Sequence, residues 1–360
     1  MDQFMDALGL LDLIKHPAFC VKDGVIIKVN SAAAAYDIAP NNPIGDILET
    51  GAEEYSEFES GCLYLTLQVS GIRLGASVTR MQEYDVFCVE QDADNRELQA
   101  MALASGELRK PLSSIMTTAQ KLFPLTGTDD DPAIAEQVAR LNRGLFQMLR
   151  VIENMSDANR YTDADSAHHQ MQNLSGLIRE TFEKAATLVE HTGLTLEYTG
   201  PEEAIYGLAD GEKLERAIFN MLSNAIKFSP KGGCVRAKLT RRNSKLYLIM
   251  EDSGSGIAES LRSSIFSRYS RQPALEDGRF GIGLGMVLIR SAAALHGGTV
   301  LVDGRQDSGT RIIMSLAIRT DDSGMLRTSR RQIDYSGGWD AGLVALAENL
   351  PAELYIPTKD

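Results

Sequence analysis

Two apolar stripes constrain this chain more than any other feature. Leu98, Met101, Ser105, Leu108, Leu112, Ile115, Ala119 and Leu122 recur in steps of three and four. So do Ile134, Val138, Leu141, Leu145, Met148, Ile152 and Met155. That spacing puts each set along one side of a long helix. Pro124, Gly127 and the acidic run Asp129–Asp131 break the pattern between them, and Asp131 with Pro132 suits the cap and first turn of the second helix. A single antiparallel hairpin buries such stripes poorly. Two hairpins from two chains bury them as a four-helix bundle, so residues 96–163 are expected to make the protein a homodimer.

Before the stripes, residues 1–95 read as a small α/β module. Pro17–Lys22 and Val25–Asn30 are short strands joined at Asp23-Gly24, a hairpin turn. A helical stretch at Ala32–Ala35 precedes three strand-like runs, Cys62–Val69, Ile72–Thr79 and Tyr84–Glu90, the first two separated by Ser70-Gly71. Hairpin, short helices and meander, with the run VIIKVNSAA after the first turn, resemble a PAS sensor domain. No His or Cys constellation calls for haem or flavin, so a dimerisation module without a ligand is the plainer reading. Past the stripes, residues 164–320 read as an α/β domain. Residues 321–360 are a tail, polar at first and ending in an amphipathic piece, Trp339–Leu350.

Composition narrows the function classes. A net charge of −13 argues against a nucleic-acid surface. No apolar run approaches the roughly 20 residues of a membrane-spanning helix. The start, Met1-Asp2-Gln3-Phe4, lacks the pattern of a signal peptide. Cys20, Cys62, Cys88 and Cys234 have no metal-type spacing and read as buried, reduced thiols. The expectation is a cytoplasmic protein with protein partners, without nucleic acid or membrane.

Four clusters in the third segment carry chemistry. In ERAIFNMLSNAIKFSP (215–230), Asn220, Asn224 and Lys227 fall on one helical face, a choice suited to Mg²⁺ and phosphate oxygens. EDSGSGI (251–257) follows an apolar strand; a carboxylate there accepts from an exocyclic amine, and Gly254 and Gly256 let backbone approach a flat base. GRFGIGLG (278–285) opens a helical pattern, as a phosphate cradle does. DSGT (307–310) precedes a strand. Each alone is weak; four in one order over about 90 residues are not.

Over residues 172–318 the sequence closely resembles the ATP-binding domain of sensor histidine kinases, a family grouped with the heat-shock chaperone ATPases, mismatch-repair ATPases and type II topoisomerases. NMLSNAIKFSP looks like its asparagine box, DSGSGI and GIGLG like its two glycine boxes, and IFSRYSR (265–271) like its phenylalanine box. The resemblance implies ATP and Mg²⁺ as cofactors. Asn220 would hold Mg²⁺, and Asn224 and Lys227 would contact phosphates. Asp252 would bind the adenine amine, flanked by Gly254 and Gly256, and Gly281, Gly283 and Gly285 would wrap the phosphates. Thr310 would support the adenine pocket. Residues 258–280 would be the lid, from which Arg271 reaches the γ-phosphate. Ser270 replaces the usual aromatic. The fold class expected is multidomain α+β: a PAS-like α/β sensor, a dimerising two-helix hairpin and an α/β-sandwich ATPase domain.

ASGELRKPLSSI (104–115) resembles the family's phosphoacceptor box at Glu107, Leu108, Arg109, Pro111 and Leu112. Where the family keeps histidine, this chain has Gly106. Phosphoryl transfer needs an in-line nucleophile, which glycine lacks, so the neighbouring acid Glu107 has nothing to act on. Lys110 stands where phosphatase activity uses Thr, Asn or Gln. A glycine inside the helix also costs about 1 kcal/mol relative to alanine. His168 and His169 read as a solvated linker, and His296 as structural. The leading expectation is an ATP-binding pseudokinase of two-component signalling, acting on a response regulator or in a mixed dimer with a true histidine kinase. The alternatives are a kinase with another acceptor or a partner's histidine, an ATP-gated sequestering module of the anti-sigma type, and a scaffold with vestigial ATP binding.

Overall fold

Paired positive-φ residues set the first two hairpins. Asp23 and Gly24 (φ 52° and 77°) join β1 (Ala18–Lys22) to β2 (Val25–Val29), and Ser70 and Gly71 (φ 49° and 82°) join β4 (Cys62–Val69) to β5 (Ile72–Arg80). Left-handed backbone at both turn positions matches the natural twist of the strands. Coordinates come from a computed structural model of the chain, which describes residues 9–81, 83–90, 92–122, 132–160, 169–258, 265–266, 283–304, 308–319 and 340–356.

β6 (Asp85–Val89) completes the N-terminal module, whose strands run β2-β1-β6-β5-β4, all antiparallel. The four-residue helix α1 (Ser31–Ala34) starts one residue earlier than expected, and the edge strand β3 (Leu48–Thr50) and helix α2 (Ala52–Glu57) are additional to the sequence reading. Asn30 ties the first turn together, its Oδ1 accepting from Ala18 N at 3.0 Å and from Ala33 N at 2.9 Å. Phe19 stacks on Phe87 at 4.7 Å in a core with Ile26, Leu63, Leu65 and Leu67.

Two long helices follow, α3 (Asp92–Leu122) and α4 (Pro132–Arg160), packed on each other. Their stripes are only half buried. Leu112, Ala119, Val138, Leu145 and Ile152 are inside, whereas Leu108, Ile115, Ile134, Leu141 and Met148 stand exposed. The breakers from Pro124 to Asp131 lie outside the described residues.

The remaining domain layers helices on a sheet. β7 (Gln170–Asn173) pairs only with β9 (Tyr206–Ala209). β8 (Thr195–Thr199), β10 (Cys234–Arg242), β11 (Lys245–Glu251), β12 (Val300–Gly304) and β13 (Thr310–Ala317) run in the order β12-β13-β11-β10-β8, with β8 and β10 parallel. The helices are α5 (Leu174–Glu190), α6 (Gly211–Phe228) and α7 (Gly285–Leu295). Their buried Phe182, Ile218, Leu222 and Leu288 share one core with Leu239, Leu248 and Met314 of the strands.

Two joints unforeseen in the sequence bind these parts. β4 pairs with β12 (Cys62↔Val302, Leu63↔Leu301, Tyr64↔Val300), so the sheets fuse into one of eleven strands. The C-terminal segment is packed rather than appended. It forms α8 (Ala341–Ala345) and a 3-10 turn at Ala352–Tyr355, burying Val344, Leu346, Ala347, Leu350 and Tyr355. The Tyr355 ring meets Phe146 edge-on at 5.0 Å, and Asn142 Nδ2 donates to Tyr355 O at 2.9 Å. Of the four thiols, Cys20 and Cys62 are buried and raised by burial to about 11 and about 12; Cys88 and Cys234, expected buried too, lie half-exposed in strands with alternating burial.

Tyr355→Ala removes the ring that fills the face of α4. It should destabilise the docked C-terminal segment by about 3 kcal/mol, seen as faster amide exchange over residues 340–356 than in the wild-type chain.

Candidate nucleotide site

Helix α6 is fixed at its start by Asp210. That side chain accepts from Lys213 N at 3.2 Å, and the Asp210 amide donates to His296 Nε2 at 3.0 Å. Because Nε2 accepts, Nδ1 carries the proton and donates to Ala292 O at 2.7 Å. Burial holds the His296 pKa down at about 4. The histidine therefore joins α6 to α7, the structural role read from sequence.

Asn220, Asn224 and Lys227 share one face of α6. Asn220 Nδ2 donates back to Arg216 O at 2.9 Å. Its Oδ1 faces the start of α7: a Cβ on Gly285 would lie 3.4 Å from it and 3.9 Å from Asn224 Oδ1. The glycine thus leaves a gap that two amide oxygens line. Asn224 Nδ2 meets Met286 Sδ at 3.6 Å, a weak contact. The Lys227 ammonium lies 5.6 Å from the Phe228 ring. Gly283, at φ 78°, makes the turn into α7.

On the other side Asp252 directly follows β11. Its Oδ1 accepts from Gly254 N at 2.8 Å and from Thr310 N at 3.1 Å, while its own amide donates to Thr310 O at 2.9 Å. Both side-chain bonds fall on Oδ1, which leaves Oδ2 for a ligand amine. Burial raises the Asp252 pKa, and the two amide bonds pull it back. Two glycines make the approach possible. A Cβ on Gly254 would stand 2.6 Å from Phe228 O, and one on Gly309 (φ 79°) would collide with Asp252 O. Gly256 also has positive φ, 69°.

Asn220, Asn224, Asp252, Gly254, Gly256, Gly283, Gly285 and Thr310 thus lie on adjoining elements, α6, β11 and its following loop, the start of α7, and β13. Arg271, Gly281 and most of the expected lid lie outside the described residues. The donor set fits the group it was expected to take: Asn220 Oδ1 is the hard neutral oxygen Mg²⁺ accepts beside phosphates and water. Among the described residues no three His, Cys, Asp or Glu side chains form a metal cluster.

The segment 104–115, expected to be a phosphoacceptor box, lies on α3. Gly106 is exposed, a Cβ there would meet nothing within 4 Å, and Glu107 and Lys110 are exposed as well. His168 is outside the described residues. His169 is not the solvated linker expected: it is half-buried, its ring lies 5.5 Å from that of His296, and burial lowers its pKa. Sequence reasoning also missed Ser223, on α6 between the two asparagines. Arg150 Nη2 donates to its hydroxyl at 2.9 Å and Asn349 Nδ2 at 2.8 Å, while Arg150 pairs with Glu348 at 3.1 Å. These partners are distant in sequence and carry no local signal.

Comparison with known proteins assigns the segment that carries the candidate site residues to a family. Residues 209–320 match the family described as "Histidine kinase-, DNA gyrase B-, and HSP90-like ATPase". This segment is a histidine-kinase-type ATPase domain, and the chain's relatives are sensor histidine kinases. The adaptive-response sensory kinase SasA of Synechocystis sp. is 25% identical over 263 residues, covering 70% of this chain and 68% of that one. Hybrid signal transduction histidine kinase D of Dictyostelium discoideum is 28% identical over 236 residues, 63% of this chain but 15% of its own. The chain therefore spans only a fraction of some relatives. The structure of full-length ShkA with AMPPNP shares the fold at a TM-score of 0.51 and 22% identity, covering 62% of this chain and 46% of that one.

Two outcomes follow. Gly309→Ala should displace the Asp252 loop and weaken nucleotide binding roughly tenfold or more, measured by calorimetric titration. His296 is depressed relative to the unfolded chain, so protons favour unfolding between about 6.5 and about 4. Stability should be full above that window and fall as pH drops through it. His296→Gln should flatten this decline in urea titrations across pH.

Proposed function

We propose that the chain is an ATP-binding, histidine-kinase-like protein of two-component signalling that does not phosphorylate itself at the usual place. One contrast carries the reading. The Asp252 carboxylate, the Asn220 and Asn224 amides and the glycines opposite them are laid out for a nucleotide. The acceptor position is a bare, exposed Gly106.

Residues implied for each task are as follows. Asp252 and Thr310 receive the base, Gly254 and Gly256 border it, and Gly281, Gly283 and Gly285 with Asn224, Lys227 and Arg271 receive the phosphates. Asn220 holds Mg²⁺. The bound nucleotide would supply a transferable phosphoryl group, but α3 offers it no nucleophile at position 106. Occupancy then acts as a conformational ligand. The exposed apolar residues of α3 and α4, Leu108, Ile115, Ile134, Leu141 and Met148, support a homodimer built as a four-helix bundle. The strand order β2-β1-β6-β5-β4 supports the PAS-like reading of residues 1–95. The output is contact with a response regulator or a true histidine kinase. No helix among the described residues is long and apolar enough to cross a membrane.

Incubation with γ-labelled ATP and Mg²⁺ tests the proposal. The wild-type chain should bind nucleotide yet take up no acid-labile phosphate. Gly106→His, which enters open space, should gain such label and lose it again with Asp252→Ala. Strong labelling of the wild-type chain that disappears with His168→Ala or His169→Ala would contradict the reading.

A further inference from the structure

We propose that the N-terminal module docks directly onto the lid root and helix α7 of the nucleotide site, so that its docked state sets how tightly nucleotide is held. This rests on the nucleotide reading given above and adds a route that bypasses the long helices.

The docking surface is built closely. Beside the β4–β12 pairing, Ser60 Oγ donates to Asp303 Oδ1 at 3.0 Å. Gly61 (φ 93°) has no room for a side chain, since a Cβ would overlap Val302 O. A Cβ on Gly51 (φ 87°) would stand 2.6 Å from Thr299 Cγ2. Charge is matched as well. Lys245 Nζ lies 2.7 Å from Glu54 Oε1, where the two side chains are only 18% and 11% exposed, and Tyr247 Oη donates to the same carboxylate at 3.2 Å. At the rim Arg242 pairs with Glu57 at 3.2 Å.

One corner of this surface reaches the site. Tyr64 of β4 turns its ring to Phe266, at 5.6 Å, and both are buried. Phe266 belongs to the segment read as the lid's phenylalanine box. The Tyr64 hydroxyl donates to Glu90 Oε2 at 3.0 Å, and Glu90 Oε1 is ion-paired with Arg290 of α7. The Arg290 guanidinium also sits 4.9 Å above the Tyr64 ring. Arg290 is buried, and a buried guanidinium stripped of its counter-charge is strongly disfavoured. It lies on the short helix whose first residue, Gly285, faces Asn220 and Asn224. Undocking would cost Phe266 its apolar partner and Arg290 its carboxylate at once, loosening α7, whose start faces Asn220 and Asn224. Docking therefore favours bound nucleotide, and by reciprocity bound nucleotide favours docking. Glu90 ends the module two residues before α3 begins, so a shift of that helix start acts on the same carboxylate.

Calorimetric titration of the full chain with AMPPNP and Mg²⁺ tests this. Tyr64→Ala and the near-isosteric Glu90→Gln should each raise Kd roughly fivefold or more. Val21→Ala, in the module's own core far from α7, should leave Kd within about twofold and so separates docking from general loosening of the module. In parallel, Ser60→Cys/Asp303→Cys should form its disulfide faster with AMPPNP present. Unchanged or tighter binding by Glu90→Gln, or a cross-linking rate indifferent to nucleotide, would overturn the inference. Absence of saturable binding by the wild-type chain would overturn the nucleotide reading and this inference with it, so the two failures are distinguishable.

Discussion

Helix α6 (Gly211–Phe228) is buried on almost every side, and a buried helix must satisfy each polar group it carries. Its apolar residues face the sheet and the neighbouring helices. Its polar ones recruit the rest of the chain. Asp210 and His296 hold its start to α7. Arg216 is ion-paired with Asp157 of α4, and Ser223 accepts from Arg150 of α4 and from Asn349 of the C-terminal segment. Asn220 and Asn224 alternate with these anchors. The helix whose Asn220 and Asn224 line the candidate site is thereby the helix that holds α4 and residues 340–356 in place.

The burial of Arg150 shows what this costs and what it secures. Desolvation pushes its pKa down, Glu348 and Tyr355 pull it back, and Ser223 accepts one of its hydrogen bonds. Such a pair adds little net stability over an apolar contact, whereas removing one partner would leave a buried charge uncompensated. Arg290, buried on α7 and ion-paired with Glu90, is a second such pair.

Much of this was legible in the sequence where a rule is local. Asp23-Gly24 and Ser70-Gly71 declared their hairpins, and the spacing of Asn220, Asn224 and Lys227 declared one helical face. The half-burial of the stripes follows from the expectation that a lone hairpin leaves apolar surface over. What stayed hidden depends on distant partners. β4 is buried at Cys62, Leu63, Tyr64 and Leu65 alike, because one face meets the module's core and the other the ATPase core. Its composition reads only as a strand. Residues 340–356 looked like a tail because Tyr355 finds Phe146 and Asn349 finds Ser223 only in three dimensions. His169 looked solvated for the same reason, its neighbour His296 lying 127 positions on.

Under the proposed function, with three segments anchored to one helix, the chain reads its own nucleotide occupancy. Amide hydrogen exchange of the full chain, with and without AMPPNP and Mg²⁺, tests that most directly. The account predicts added protection in β4 and in residues 340–356 as well as around Asp252 and the start of α7. Protection confined to the nucleotide site, with β4 and the C-terminal segment unchanged, would contradict it.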